Sequence, residues 1–152
     1  MPTKTIELVV SLKMPDTTAI TALQTLQKIG FKKIKDVKRY FYYKFTIDGN
    51  EEDFKNKISK VDILVNANKH SVDFEVKKDE YVKIMVKNID DNGSALLSTL
   101  KNRLGFNNIK KVESTVMWGL KIDGDSKESK TTAEKAAKDL LANENYQEFA
   151  II

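Results

Sequence analysis

The twenty residues "GFKKIKDVKRYFYYKFTIDG" (30–49) return without a gap as "GFNNIKKVESTVMWGLKIDG" (105–124), 75 positions further on. Eight of the aligned pairs are identical: Gly30/Gly105, Phe31/Phe106, Ile34/Ile109, Lys35/Lys110, Val37/Val112, Ile47/Ile122, Asp48/Asp123 and Gly49/Gly124. Chance gives roughly one or two at ordinary residue usage. Working outward, "LQTL" (23–26) pairs with "LSTL" (97–100), Ala67-Asn68 with Ala142-Asn143, and Phe74 with Phe149. The chain is therefore two copies of one unit, which predicts tandem domains over 1–78 and 79–152.

Both copies read alike. Alternation at Ile6, Leu8, Val10 and Leu12, and at Val82, Ile84 and Val86, predicts a half-buried opening strand. "MPD" and "DDNGS" supply N-caps for a helix. Its apolar face is Ala19, Leu23 and Leu26 in copy one, and Leu96, Leu97, Leu100 and Leu104 in copy two. Gly30 and Gly105 stand where a left-handed C-cap belongs. A pair of strands follows, ending at "IDGN" and "IDGD". Asn50 with Asp53, and Asp125 with Glu128, have capping-box spacing for a second helix. That helix buries Phe54, Ile58, Val61 and Val65 in one copy, against Ala133, Ala136 and Leu140 in the other. A last strand lies near 71–76 and 147–151. The expected fold is α+β: two tandem βαββαβ (ferredoxin-like) units with antiparallel sheets, related by a pseudo-two-fold axis.

The chain has 152 residues, a net charge of +4, 41% apolar and 32% charged residues, and no cysteine. Disulfides, thiol catalysis and thiolate metal sites are thereby excluded. "MPTKTIELVV" lacks the apolar run of a signal peptide, and no stretch has the length of a membrane span, so a cytoplasmic location is expected. Residues 1–78 carry 15 Lys+Arg and 10 Asp+Glu, whereas residues 79–152 carry 11 and 12. The basic first half hints at an acidic partner.

Catalytic and cofactor-binding signatures are nearly absent. His70 is the only histidine, and its counterpart is Asn145. Neither GxxxxGK[ST] nor GxGxxG occurs, and "DDNG" (90–93) lacks the remaining ligands of a calcium loop. No catalytic, metal-binding or cofactor-binding residue is assigned. The run from Lys32 to Phe45 holds six cations and five aromatics. That is the composition of a single-stranded nucleic-acid platform. An RNA-recognition motif laid on "KRYFYYKF" finds Lys38, Tyr40, Tyr42 and Phe45 in register but fails at Arg39 and Phe41. The first strand offers Val9 where a ring is needed; in copy two "IMVKNI" (84–89) resembles the first-strand motif with Met85 for the ring, but "ESTVMWGL" (113–120) has neither the basic charge nor an aromatic pair. By strand parity Tyr43, Phe45 and Ile47 belong to the core, with Trp118, Leu120 and Ile122 as equivalents. Tyr42, Lys44 and Thr46 face the other way, with Met117, Gly119 and Lys121. Lys38, Arg39, Tyr40, Tyr42, Lys44, Met117 and Lys121 are the candidate residues for an interface, with a partner or between repeats. A tandem small-molecule regulatory module of the ACT type shares the element order. It expects a glycine in the loop after the first strand, which Gly93 supplies in copy two only.

Four motifs resemble a known family. "LLANENYQEF" (140–149) is similar to the closing helix and strand of PurS, the small subunit of phosphoribosylformylglycinamidine (FGAM) synthase. "DDNGSALLSTL" (90–100) resembles its Asp-Pro-x-Gly helix start, with Asp91 in place of proline. "VSLK" (10–13) resembles its first strand end, and "IKDVKRYFYYKFTI" (34–47) its central hairpin. The family's Gly-Lys pair at the hairpin bend is replaced by Tyr40-Phe41 and Thr115-Val116. The resemblance implies a non-catalytic subunit in the fourth step of purine synthesis, in which two fused copies replace a PurS dimer. It implies docking to a PurL-like synthetase and a PurQ-like glutaminase, and support of ammonia transfer between them. ATP, Mg and glutamine would be used by those subunits and no cofactor bound by this chain. It leaves room for a homo-oligomer, with no membrane or nucleic-acid partner expected.

Overall fold

The computed structural model describes residues 3–152. Copy one contains β1 (Lys4–Leu12), α1 (Thr17–Lys28), β2 (Ile34–Ile47), α2 (Glu51–Ile58) and β3 (His70–Asp73). Copy two contains β4 (Tyr81–Asn88), α3 (Ser94–Ser98), β5 (Ile109–Ile122), α4 (Ser126–Ala136) and β6 (Gln147–Ile151). The six strands form an antiparallel sheet in the order β3-β1-β2-β5-β4-β6.

The expected pair of central strands is one unbroken 14-residue strand in each copy. A tight reversal needs residues that accept positive φ. The bend positions instead carry Tyr40-Phe41 and Thr115-Val116, aromatic and β-branched residues that favour extended backbone, and among the described residues no non-glycine residue has positive φ.

Packing divides the chain into two units whose boundaries cut these long strands at the expected bends. One unit gathers the chain through Lys13, Phe41–Val76 and Asp91–Ser114; the other gathers Met14–Tyr40, Lys77–Asp90 and Thr115–Ile152. Followed through space, the first unit runs β1, α3, β5, β2, α2, β3, and the second runs β4, α1, β2, β5, α4, β6. Each is a ferredoxin-like βαββαβ unit. Its first helix and second strand come from the other repeat. The sequence repeat and the packing unit are thus different divisions of one chain.

Their cores confirm the exchange. The first unit buries Leu8, Phe45 and Ile58 of copy one with Leu100, Ile109 and Val112 of copy two. Phe54 meets Phe45 edge-on at 5.2 Å and Phe106 at 5.9 Å. The second unit buries Leu26, Ile34 and Val37 of copy one with Ile84, Trp118 and Leu120 of copy two. Each such side chain contributes roughly 1.5–3 kcal/mol by leaving water.

Helix ends follow the capping chemistry with one exception. Asp16 accepts from the N–H groups of Thr18 and Ala19, Asn50 from that of Asp53, and Asp125 from that of Glu128. At α3 the N-cap is Gly93, not a side chain. Asp91 and Asn92 instead close turns onto the N–H groups of Gly93 and Ser94. Gly93 has φ 77°, and a Cβ there would overlap the carbonyl of Val112. Gly30 closes a Schellman turn on α1, with Phe31 N–H donating to Leu26 C=O and Gly30 N–H to Gln27 C=O.

Two expected buried residues are exposed. α3 and α4 continue as π-helical turns, Thr99–Arg103 and Ala137–Leu141. A π turn holds an extra residue and rotates the apolar face. Leu104 and Leu140 therefore point to solvent, while Ala137 and Leu141 are buried. α2 stops at Ile58, and Val61 and Val65 reach the core from the turns that follow.

Candidate partner interface

Antiparallel register places directly opposed residues on one face. In the first unit Tyr42 lies opposite Val9, and Lys44 opposite Glu7, on the face away from the helices. Tyr42 is only 8% exposed. Its hydroxyl donates to Glu7 Oε2 at 2.5 Å. Burial, that bond and the charges of Glu7 and Glu113 all raise its pKa above the usual tyrosine value. Lys44 is exposed. A buried, hydrogen-bonded Tyr42 offers no free ring for a base to stack on.

The second unit carries the other candidates. Lys83 lies opposite Gly119, and Tyr81 opposite Lys121. The space above Gly119 is filled by the rings of Tyr81 and Tyr40, 3.5 Å and 3.7 Å from where a Cβ would sit. The hydroxyl of Tyr81 donates to Asp36 Oδ2 at 2.5 Å. Lys38 Nζ stands 4.5 Å from the centre of the same ring, a cation–π contact. Lys83 is 6% exposed, and its ammonium donates to Asp79 Oδ1 at 2.5 Å. Burial alone would raise the pKa of Asp79. The hydrogen bonds from Lys83 and from Tyr81 N–H, with the charges of Lys83 and Lys38, lower it on balance. Burial, then Asp79 and Asp36, raise Tyr40. Lys121 pairs with Glu80 at 3.3 Å, and Met117 is 1% exposed.

Arg39 stands apart from the other candidates. It belongs to the helix side, where it grips Asp16 through Nε–Oδ2 at 2.9 Å and Nη2–Oδ1 at 3.2 Å. Asp16 also caps α1, so Arg39 fastens the start of that helix to β2. The sequence reading missed Tyr81, Lys83, Asp36 and Asp79. A signal was available: mid-strand Gly119 marks a place where a neighbouring ring can lie flat, and Tyr81 and Lys83 share strand parity.

His70 opens β3, and its Nδ1 accepts from Asn66 N–H at 2.9 Å. Among the described residues no group of three or more His, Cys, Asp or Glu is placed to hold a metal. No described helix is long and apolar enough to cross a membrane. On this face the hydroxyls of Tyr42 and Tyr81 and the ammonium groups of Lys83 and Lys121 are each paired with a carboxylate.

Fold and face together define a tandem ferredoxin-like α+β protein whose units exchange segments. Residues 80–152 match the family model PurS, described as Phosphoribosylformylglycinamidine (FGAM) synthase. The second half of the chain is thus similar to the PurS family. No curated protein gives a significant match.

Proposed function

We propose that the chain is the non-catalytic small subunit of FGAM synthase, docking a PurL-like synthetase and a PurQ-like glutaminase so that ammonia passes between them. One fused chain stands in for a pair of PurS chains. The observation that carries this reading is the family match over 80–152; the internal repeat extends it to the first half. The fused-pair reading is supported by packing units that each need segments of both repeats. ATP, Mg and glutamine serve the partner subunits in this reading, and the chain itself holds no cofactor.

Reconstitution from purified subunits tests it. Glutamine-dependent conversion of formylglycinamide ribonucleotide to the amidine should need this chain, whereas added ammonium salt should bypass it. Native mass should give one chain per synthetase. Two chains per synthetase would remove the fused-pair reading, and full glutamine-dependent activity without the chain would remove the docking role.

A further inference from the structure

Each unit carries a groove beside the end of its first helix, and the two grooves occupy equivalent positions of the repeat. In the second unit a cavity of about 460 Å³ is lined by Ile29, Phe31, Lys32, Lys33, Thr132 and Lys135, among others. In the first unit a cavity of about 470 Å³ is lined by Leu104, Phe106, Lys57, Lys60, Val61 and Ile63, among others. At the repeat offset Ile29 matches Leu104, Phe31 matches Phe106, and Lys135 matches Lys60. Size and these lining positions are thus kept between copies that differ at twelve of the twenty positions of their best-matched stretch.

The charge is kept as well, by different residues. Lys57 on α2 is matched by Thr132 on α4, which removes a cation from the second groove. Lys32 and Lys33, whose counterparts are Asn107 and Asn108, restore it from the loop. Lys33 pairs with Glu128 at 3.3 Å in an exposed contact of little energetic weight. Among the described residues Lys32, Lys57, Lys60 and Lys135 are in no ion pair. Against these cations the second groove sets Asp139 and the first sets Asp62. Large aliphatic side chains stand open at both rims: Ile29 is 53% exposed, Leu104 46% and Ile63 58%.

We infer that both grooves dock an acidic segment with an apolar anchor, carried by the partner subunits of the synthase. This rests on the proposed function for the identity of the partner. Charge complementarity selects an acidic occupant, since two or three lysines face one carboxylate in each groove. The anchors select protein over nucleic acid. Bases stack on exposed aromatic rings, whereas the most open residues here are aliphatic, Phe106 is buried and Phe31 is half-buried. An aliphatic rim around a ring suits a Leu or Phe side chain flanked by Asp or Glu.

Calorimetric titration of the full chain into purified synthetase and purified glutaminase tests the assignment. Variants Ile29→Asp, Leu104→Asp, Lys60→Glu and Lys135→Glu alter exposed positions, and unchanged thermal unfolding verifies that they fold. Each anchor variant should weaken binding to at least one subunit by about tenfold or more. The charge reversals should weaken binding and flatten its salt dependence. If the wild type binds and the Ile29→Asp/Leu104→Asp double variant binds equally tightly, the grooves are not the docking sites while the proposed function stands. If the wild type binds neither subunit, the proposed function fails and the inference with it. Loss of poly(U) binding in the variants, with subunit binding intact, would overturn the protein occupant.

Discussion

The hydroxyl of Tyr81 donates to Asp36 while the Lys38 ammonium lies over its ring, so one side chain joins β4 to β2. Tyr42 does the same between β2 and β1 through Glu7. In both cases the acceptor is a carboxylate, and ionising the phenol would set two negative charges against each other. The bond to Asp36, then burial and nearby negative charge, raise Tyr81. Burial, then Glu7, raise Tyr42. A folded-state pKa above the unfolded value, near 10, gives stability that is fully present below that pH and lost as pH rises through the folded value. Unfolding free energy should therefore be insensitive to these groups at neutral pH and fall progressively above about pH 10. Asp36→Asn removes the acceptor charge. It should bring the Tyr81 titration down, seen as tyrosinate absorbance appearing at lower pH than in the wild type. An unchanged titration curve would show that Asp36 does not hold that proton.

The start of α1 shows how a single carboxylate can fix a helix on a strand. Asp16 caps two N–H groups and takes both nitrogens of the Arg39 fork, whereas Asn50 at the start of α2 caps one N–H group. Losing a cap costs about 0.5–2 kcal/mol, and losing a hydrogen bond to a charged group about 1.5–3 kcal/mol more. Asp16→Ala should thus lower the denaturant midpoint clearly further than Asn50→Ala; equal losses would mean that the Arg39 contact contributes nothing. The caps were legible in the sequence because they depend on residues within four positions of one another. So were the core faces of β2 and β5, because Phe45 and Leu120 lie on the apolar side of a period-two pattern. The partner of each face was not legible. Leu26 and Leu100 occupy equivalent positions in near-identical patterns, and alternation states that both are buried without stating against which copy. The straight course of β2 was hidden for a related reason: a hairpin and an extended strand share the same alternation, and only the missing turn residues at Tyr40-Phe41 separate them. The π turns behind Leu104 and Leu140 leave no local signature. The candidate face was half visible, since Tyr40 and Tyr42 drew notice while Glu7, which accepts from Tyr42, and Asp36 and Asp79, which accept from Tyr81 and Lys83, looked like ordinary surface charge.

Exchange of segments between repeats makes the chain indivisible in a way that simple tandem domains are not. Cut between 78 and 79, the first half keeps β1, the second half of β2, α2 and β3, but loses α3 and β5 from their core. Phe54 then loses its contact with Phe106. The same half carries α1 and the first part of β2, whose Leu26, Ile34 and Val37 share a core with Ile84, Trp118 and Leu120 of copy two. Several large side chains would be uncovered, each at roughly 1.5–3 kcal/mol, against a total stability of about 5–15 kcal/mol for a domain. Neither 1–78 nor 79–152 should form a folded monomer. Each should remain unfolded or pair with a second copy of itself, since two identical halves can repeat the exchange. Mixed in equal amounts, they should yield a folded one-to-one complex with one cooperative thermal transition. Trp118, the only tryptophan, packs in the core that α1 helps to build and reports the event. Its emission should move to shorter wavelength when 1–78 is added to unfolded 79–152. Light scattering after gel filtration supplies the decisive measurement. A monomeric half with its own cooperative transition would mean that each repeat can close on itself, and that the long central strands are a choice the chain can reverse.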